Sequence, residues 1–202
     1  MAAFSERRYE VKGVDTAVFS AGDGPPLVFL HGGGTMTGFD ALVGHSLGGA
    51  MAAAFAALHP ERVRRLVLAA PWGLLVPEHP TVALSSLPGD EIDAYLFADL
   101  SRCEGLPPPP REFIAEREAI SLARVVPELP YDPKLARWLR RIAAPTLVLW
   151  GDADRRIPVG QAAVWAEHIP AAEIQTFPGA GHLLFDESAS AVEAAGAFAA
   201  RP

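Results

Sequence analysis

Three residues of the chain, Ser46, Asp154 and His182, have the types and the surroundings that nucleophilic catalysis requires. Ser46 lies in the pattern Gly44-x-Ser46-x-Gly48, where the glycines avoid side-chain clashes if a strand turns sharply into a helix. A serine hydroxyl is a weak nucleophile at neutral pH, so it needs a base, usually a histidine that a carboxylate orients. The sequence therefore predicts that Ser46 is a nucleophile, with His182 and Asp154 as the candidate base and carboxylate.

Each of these residues follows a predicted strand, and the strands before Ser46 and Asp154 are short apolar segments typical of a buried strand. Helices are predicted between the strands, from Leu47 to Leu58, from Val159 to His168 and after Asp186. This alternation predicts an α/β fold with a mostly parallel sheet covered on both faces. Because the carboxyl ends of parallel strands meet at one edge of the sheet, the candidate residues should meet in one crevice. The predicted strands are Leu27–Leu30, Ala41–Val43, Arg65–Ala70, Thr146–Trp150 and Glu173–Phe177.

A second aspartate in the same loop is also a candidate for the carboxylate that orients His182. Asp152 lies two residues before Asp154, within Gly151-Asp152-Ala153-Asp154. Asp152 can also serve to brace the turn that follows the strand. We favour Asp154 as the partner of His182.

Residues 72–144 interrupt the alternation of strands and helices. The segment is rich in proline and contains no convincing buried strand, but Asp132-Pro133 is typical of a helix start. We predict a helical cap insertion at 72–144 and a core formed by 1–71 and 145–202. The last helix of that core is expected to carry Val192, Ala195 and Phe198–Ala199 on one face.

Composition excludes several other classes of function. The chain has 17 Lys and Arg against 24 Asp and Glu, a net charge of −7, which argues against binding nucleic acid or anionic membranes. A single cysteine, Cys103, excludes an intrachain disulfide, and no apolar run is long enough to span a bilayer. No histidine pair has metal-ligand spacing, so no metal is predicted, and His45 is interpreted as structural. We expect a cytoplasmic protein without a signal peptide.

Four segments of the chain together resemble the α/β-hydrolase superfamily, in particular its serine esterases and carbon–carbon bond hydrolases. They are His31–Gly34, Gly44–Gly49, Leu147–Asp154 and Gly179–His182. The resemblance implies an α/β-hydrolase fold and a cofactor-independent enzyme in which Ser46 attacks a carbonyl. His182 would move the proton, and Asp154 would hold the imidazole.

The resemblance also implies an oxyanion hole and a class of substrate. The backbone N–H of Leu47 and that of Gly33 or Gly34 would stabilise the oxyanion. The substrate would be a small-molecule ester, or a ketone whose adjacent carbon–carbon bond is cleaved.

One part of the family pattern is missing. Only eleven residues separate Gly34 from Ser46, whereas relatives place a helix, a strand and a second helix there. We expect the sheet to be shortened by one βα unit, and the turn at 22–26 to let Thr16–Ser20 and Leu27–Leu30 pair as a hairpin. The lost helices would leave apolar surface exposed and favour self-association.

The missing segment leaves alternatives to a serine hydrolase open. A catalytically silent hydrolase-fold protein that only binds ligands or partners would retain the same motifs. Acyl transfer or lyase chemistry on the same scaffold cannot be separated from hydrolysis by sequence.

Overall fold

A five-stranded parallel sheet forms the centre of the computed structural model, which describes residues 5–11, 14–22, 27–30, 41–102 and 131–201. In spatial order its strands are β3 (Leu27–Leu30), β4 (Ala41–His45), β5 (Leu66–Ala69), β6 (Thr146–Gly151) and β7 (Ala172–Phe177). Every neighbouring pair in this sheet is parallel. The α/β class and the parallel sheet predicted from the sequence are therefore confirmed.

Helices follow β4, β5, β6 and β7 along the chain, as the alternation of the sequence predicts. The α-helices are α1 (Leu47–Leu58), α2 (Ile92–Leu96), α3 (Leu135–Leu139), α4 (Gln161–His168), α5 (Leu184–Glu187) and α6 (Ala189–Ala199). Short 3₁₀ helices cover Pro60–Arg62, Leu84–Ser86 and Leu100–Arg102. No helix among the described residues combines the length and the apolar character needed to cross a membrane.

The two faces of the sheet are buried in separate apolar clusters because side chains alternate along each strand. In β5, Leu66 and Leu68 pack on the face that α1, α3 and α4 cover, whereas Val67 and Ala69 pack on the face covered by α6. All four side chains are fully buried. A continuous apolar run is thus explained by helices on both sides of the strand.

Helix α6 has the predicted position but a different buried face. It begins after Ser188, whose hydroxyl accepts a hydrogen bond from the N–H of Ala191. Ala191, Ala195 and Phe198 are buried, whereas Val192 is about half exposed. Val192, expected on the same face as Ala195 and Phe198, therefore lies outside the buried face, because Ala191 occupies the inward position of the first turn.

The hairpin predicted between Thr16–Ser20 and Leu27–Leu30 is also wrong. Strand β2 (Val14–Ser20) instead pairs with β1 (Ser5–Val11) in a separate antiparallel sheet. Strand β3 pairs in parallel with β4, with Leu27 opposite Ala41 and Leu30 opposite Gly44. The turn that the hairpin required, residues 23–26, lies outside the described residues.

The predicted insertion, residues 72–144, is described at 72–102 and 131–144, and it forms no strand there. It contacts the loops that follow the sheet strands: Leu183 N–H donates to the carbonyl of Leu96, and Arg102 Nη1 donates to that of Gly179. Leu135 and Leu139 of α3 pack into the apolar cluster with α1. The division into core and cap stays a prediction.

Candidate active site

Ser46 occupies the sharp turn between β4 and α1. Its backbone has φ 54° and ψ −122°, a left-handed conformation that is strained for a residue with a side chain. Its N–H donates to the carbonyl of Ala69 on the adjacent strand, and its carbonyl accepts from Trp72 N–H. These contacts from neighbouring elements hold the turn in its strained conformation.

Gly44 is needed for the close approach of strand and helix at this turn. A Cβ atom at Gly44 would lie 2.5 Å from the carbonyl oxygen of Gly48 and 2.8 Å from Cβ of Ala52. The obstacle at Gly48 is backbone and cannot rotate away. The first glycine of the Gly44-x-Ser46-x-Gly48 pattern is therefore explained by packing of α1 against β4.

Ser46, His182 and Asp154 are brought together by loops that follow three different strands. His182 Nε2 lies 3.0 Å from Ser46 Oγ, and His182 Nδ1 lies 2.9 Å from Asp154 Oδ2. The side chains of His182 and Asp154 are fully buried. The three side chains form one continuous chain of hydrogen bonds.

Hydrogen bonding fixes the direction of proton donation along this chain. A carboxylate only accepts, so Nδ1 of His182 carries the proton and donates to Asp154. Burial lowers the pKa of His182 below its usual value, an effect that Asp154 opposes and the charge of Arg156 increases. The neutral ring leaves Nε2 free to accept from the Ser46 hydroxyl.

The two aspartates of the loop after β6 make different contacts. Asp154 Oδ1 accepts from the N–H groups of Arg156 and Ile157, at 2.9 and 2.8 Å, which leaves Oδ2 directed at His182. Asp152 is exposed, and its Oδ1 accepts from Gly179 N–H at 2.7 Å. Asp152 therefore joins the loops after β6 and β7, whereas Asp154 reaches the histidine.

The predicted oxyanion donors are described only in part. Leu47 is the first residue of α1, where helical N–H groups have no partner within the helix. Gly33 and Gly34 lie outside the described residues. Within the described part of the chain, no three His, Cys, Asp or Glu side chains are grouped as they would be around a metal ion.

Comparison with known proteins places the chain in a family. The profile of the alpha/beta hydrolase family matches residues 29–195, most of the chain. The chain belongs to this family. The resemblance inferred from the four sequence segments is thereby confirmed.

The relatives of this alpha/beta hydrolase family member include proteins named as hydrolases. A 2-hydroxy-6-oxononadienedioate/2-hydroxy-6-oxononatrienedioate hydrolase of Paraburkholderia phymatum is 32% identical over 163 residues, which cover 70% of this chain and 55% of that protein. The chain thus spans about half the length of the curated relatives it matches.

Solved structures share the fold at low sequence identity. A membrane phospholipase A described as a bacterial virulence factor superposes with a TM-score of 0.75 at 21% identity, covering 98% of this chain and 87% of that one. The 2-hydroxy-6-oxo-6-phenylhexa-2,4-dienoate hydrolase of Rhodococcus sp. gives a TM-score of 0.73 at 17% identity, covering 96% of this chain and 97% of that one. At such identities the likeness establishes the alpha/beta hydrolase fold.

In this alpha/beta hydrolase family member, His45 and Glu187 contact the loop that carries His182, although the sequence did not indicate a functional role for either residue. His45 Nε2 lies 2.8 Å from the carbonyl oxygen of His182, and because a carbonyl only accepts, His45 donates this hydrogen bond. Glu187 accepts from Gly181 N–H at 2.7 Å. The position of His45 next to the nucleophile was the only sequence signal for the first contact, and Glu187 had none.

Proposed function

We propose that the chain is a serine hydrolase that cleaves a small ester, or a carbon–carbon bond next to a ketone. The observation that carries this proposal is the buried chain of hydrogen bonds from Ser46 Oγ through His182 to Asp154, with distances of 3.0 and 2.9 Å. This arrangement is the one that nucleophilic catalysis by serine requires. Relatives named as hydrolases of 2-hydroxy-6-oxo compounds, which carry a ketone, support the same class of reaction.

The reaction begins when Ser46 Oγ attacks the carbonyl carbon of the substrate and His182 Nε2 takes the hydroxyl proton. Asp154 stabilises the imidazolium that forms, and the N–H of Leu47, with that of Gly33 or Gly34, stabilises the negative oxygen. The intermediate then collapses, the bond to the leaving group breaks, and His182 gives its proton to the leaving group. No cofactor takes part in these steps.

Water completes the reaction. His182 removes a proton from a water molecule that attacks the acyl group on Ser46, and the ester bond to the serine breaks. The proton returns to Ser46 Oγ, which regenerates the free enzyme and releases the acid. The attack by Ser46 and the attack by water each require a histidine that is neutral at the start, which agrees with the lowered pKa of His182.

Hydrolysis of p-nitrophenyl acetate by the wild type and by Ser46→Ala tests this proposal. We expect kcat/KM to fall on the order of 10⁴–10⁶-fold in Ser46→Ala, because the nucleophile is lost. Ser190→Ala is the matched control, since Ser190 is an exposed serine on α6. Turnover of Ser46→Ala at the wild-type rate would contradict the mechanism.

A catalytically silent protein of the same fold is the second candidate. It is favoured by the eleven-residue connection between Gly34 and Ser46 and by the match to about half the length of the relatives. Wild-type hydrolysis no faster than that of Ser46→Ala would favour this candidate. Analysis of products in the presence of an added alcohol separates hydrolysis from acyl transfer, because transfer yields a new ester.

A further inference from the structure

The backbone around His182 is held at three successive residues. Gly181 N–H donates to Glu187 Oε2 at 2.7 Å, His182 O accepts from His45, and Leu183 N–H donates to the carbonyl of Leu96 at 2.9 Å. The contact from His45 comes from β4, on the side of the nucleophile. The other two contacts connect the His182 loop to residues 96–99 of the predicted insertion.

Glu187 is the centre of this connection. Its carboxylate is 7% exposed, and Oε1 accepts from the N–H groups of Ala98 and Asp99 at 2.9 and 2.7 Å. One buried side chain therefore satisfies three backbone donors, two on the insertion and one next to His182. The N–H of Gly181 is buried, and a buried donor left without a partner is costly, so a hydrogen-bond acceptor is strongly favoured at this position.

The insertion lies directly against the loop at this point. A Cβ atom at Gly181 would lie 2.5 Å from the backbone nitrogen of Ala98 and 2.7 Å from Glu187 Oε2. There is consequently no room for the loop to move towards the insertion while Glu187 is in place. The loop cannot move away without breaking the hydrogen bond from Gly181.

We propose that Glu187 is a positioning residue that fixes the His182 imidazole between Ser46 and Asp154 and makes its position depend on residues 97–99. This proposal rests on the proposed serine hydrolase mechanism. Glu187 touches neither the nucleophile nor the substrate carbonyl, and it acts on the reaction through the backbone next to His182. Displacement of the insertion would therefore be transmitted to the base.

Glu187→Gln is the sharpest variant because it preserves the size of the side chain and one acceptor oxygen. The NH₂ group of the glutamine cannot accept a hydrogen bond. Because backbone N–H groups lie on both sides of the side chain, the variant loses either the hydrogen bond from Gly181 or those from Ala98 and Asp99. We expect kcat for p-nitrophenyl acetate to fall about 10- to 100-fold, the scale expected when a catalytic group is displaced by up to 1 Å. KM should stay within about twofold. Glu193→Gln, at an exposed glutamate of α6, is the matched control and should retain the wild-type kcat.

A double-mutant cycle separates positioning of His182 from a general structural role. In a His182→Ala background, Glu187→Gln should change the remaining rate less than twofold, because the group that it positions is absent. An equal fold-loss in both backgrounds, or an unchanged kcat in the single variant, would overturn the proposal. Circular dichroism verifies that each variant is folded.

A readout that does not depend on turnover distinguishes failure of this proposal from failure of the proposed function. The His182 Nδ1 proton, which is donated to Asp154, gives a low-field proton NMR resonance that His182→Ala identifies. It should shift or broaden in Glu187→Gln and stay unchanged in Glu193→Gln, whether or not the wild type hydrolyses the ester. An unchanged resonance in folded Glu187→Gln would contradict the positioning role, whereas an inactive wild type with the expected shift would contradict only the hydrolase function.

Discussion

The strands of the central sheet and those of the β1–β2 hairpin differ in what covers their side chains. Leu68 in β5 is 0% exposed, with a helix layer over each face of its sheet, whereas Phe19 in β2 is 63% exposed. Ser46, Asp154 and His182 all follow strands of the central sheet. The difference predicts that stability and catalytic geometry both depend mainly on the covered strands β4 to β6 and little on the hairpin, whereas β7, which precedes His182, is mostly exposed.

Truncating a side chain in each region should give very different losses of stability. Leu68→Ala removes fully buried methyl groups and should lower the free energy of unfolding by about 2–5 kcal/mol. Phe19→Ala removes an exposed ring and should change it by about 0.5 kcal/mol or less. Urea unfolding followed by circular dichroism measures both. Equal losses would show that the hairpin packs as firmly as the sheet.

The stability of the protein should be nearly as sensitive to changes in the sharp turn between β4 and α1 as to changes in the sheet core. Gly44→Ala places a Cβ atom against the backbone of Gly48, so we expect a loss of about 1–3 kcal/mol of stability. The esterase rate should fall as well, because the turn that presents Ser46 must shift. Thermal unfolding and p-nitrophenyl acetate hydrolysis measure the two effects. A stable and fully active Gly44→Ala protein would contradict the packing argument.

Acid should destabilise the wild type through His45. Burial first, and then the nearby charge of His182, lower the pKa of His45 to about 3. His45 therefore binds a proton near pH 6.5 in the unfolded chain but only near pH 3 in the folded protein. Its contribution to the free energy of unfolding is fully present above pH 6.5 and is lost as the pH falls towards 3.

Replacing His45 by a side chain that does not titrate isolates this contribution. His45→Gln retains an N–H donor for the carbonyl of His182. Between pH 8 and pH 5, the free energy of unfolding of His45→Gln should fall by about 1–2 kcal/mol less than that of the wild type. Urea unfolding at both pH values tests this, with His168→Gln on α4 as a control. Identical pH dependence in the wild type and His45→Gln would contradict the assignment.

The smallest effect is expected at a glycine of α6. A Cβ atom at Gly196 would meet no atom of the described residues within 4 Å. Gly196→Ala should therefore stabilise the protein by about 0.5–1 kcal/mol, because alanine favours the helix. A thermal shift upward checks this result, and a shift downward would show that the exposed side of α6 is in contact with another part of the molecule.

The sequence predicted the elements that carry the candidate site because their signals are local. Apolar runs such as Leu66–Ala69 and the glycines around Ser46 directly reflect burial on two faces and a tight turn. The partners of β2 and β3 were not predictable in this way, since strand pairing depends on which edge is nearer in space. The hairpin expected at 22–26 was for this reason wrong.

Contacts between distant segments were equally hidden from the sequence. Glu187 lies 88 and 89 positions from the two insertion residues that it joins to the His182 loop. Nothing in its neighbourhood distinguishes it from an exposed acidic residue at the end of a short helix. Val192 was misplaced for a related reason, because a shift of one position in helix phase exchanges it with Ala191.

Covalent labelling tests the central claim most directly, namely that the doubly covered sheet assembles a working nucleophile at Ser46. The wild type, Ser46→Ala and Ser190→Ala are treated with a fluorophosphonate probe, and their intact masses are measured. We predict one adduct on the wild type and on Ser190→Ala, and none on Ser46→Ala. Folded wild-type protein without an adduct, or an adduct that persists in Ser46→Ala, would contradict the account.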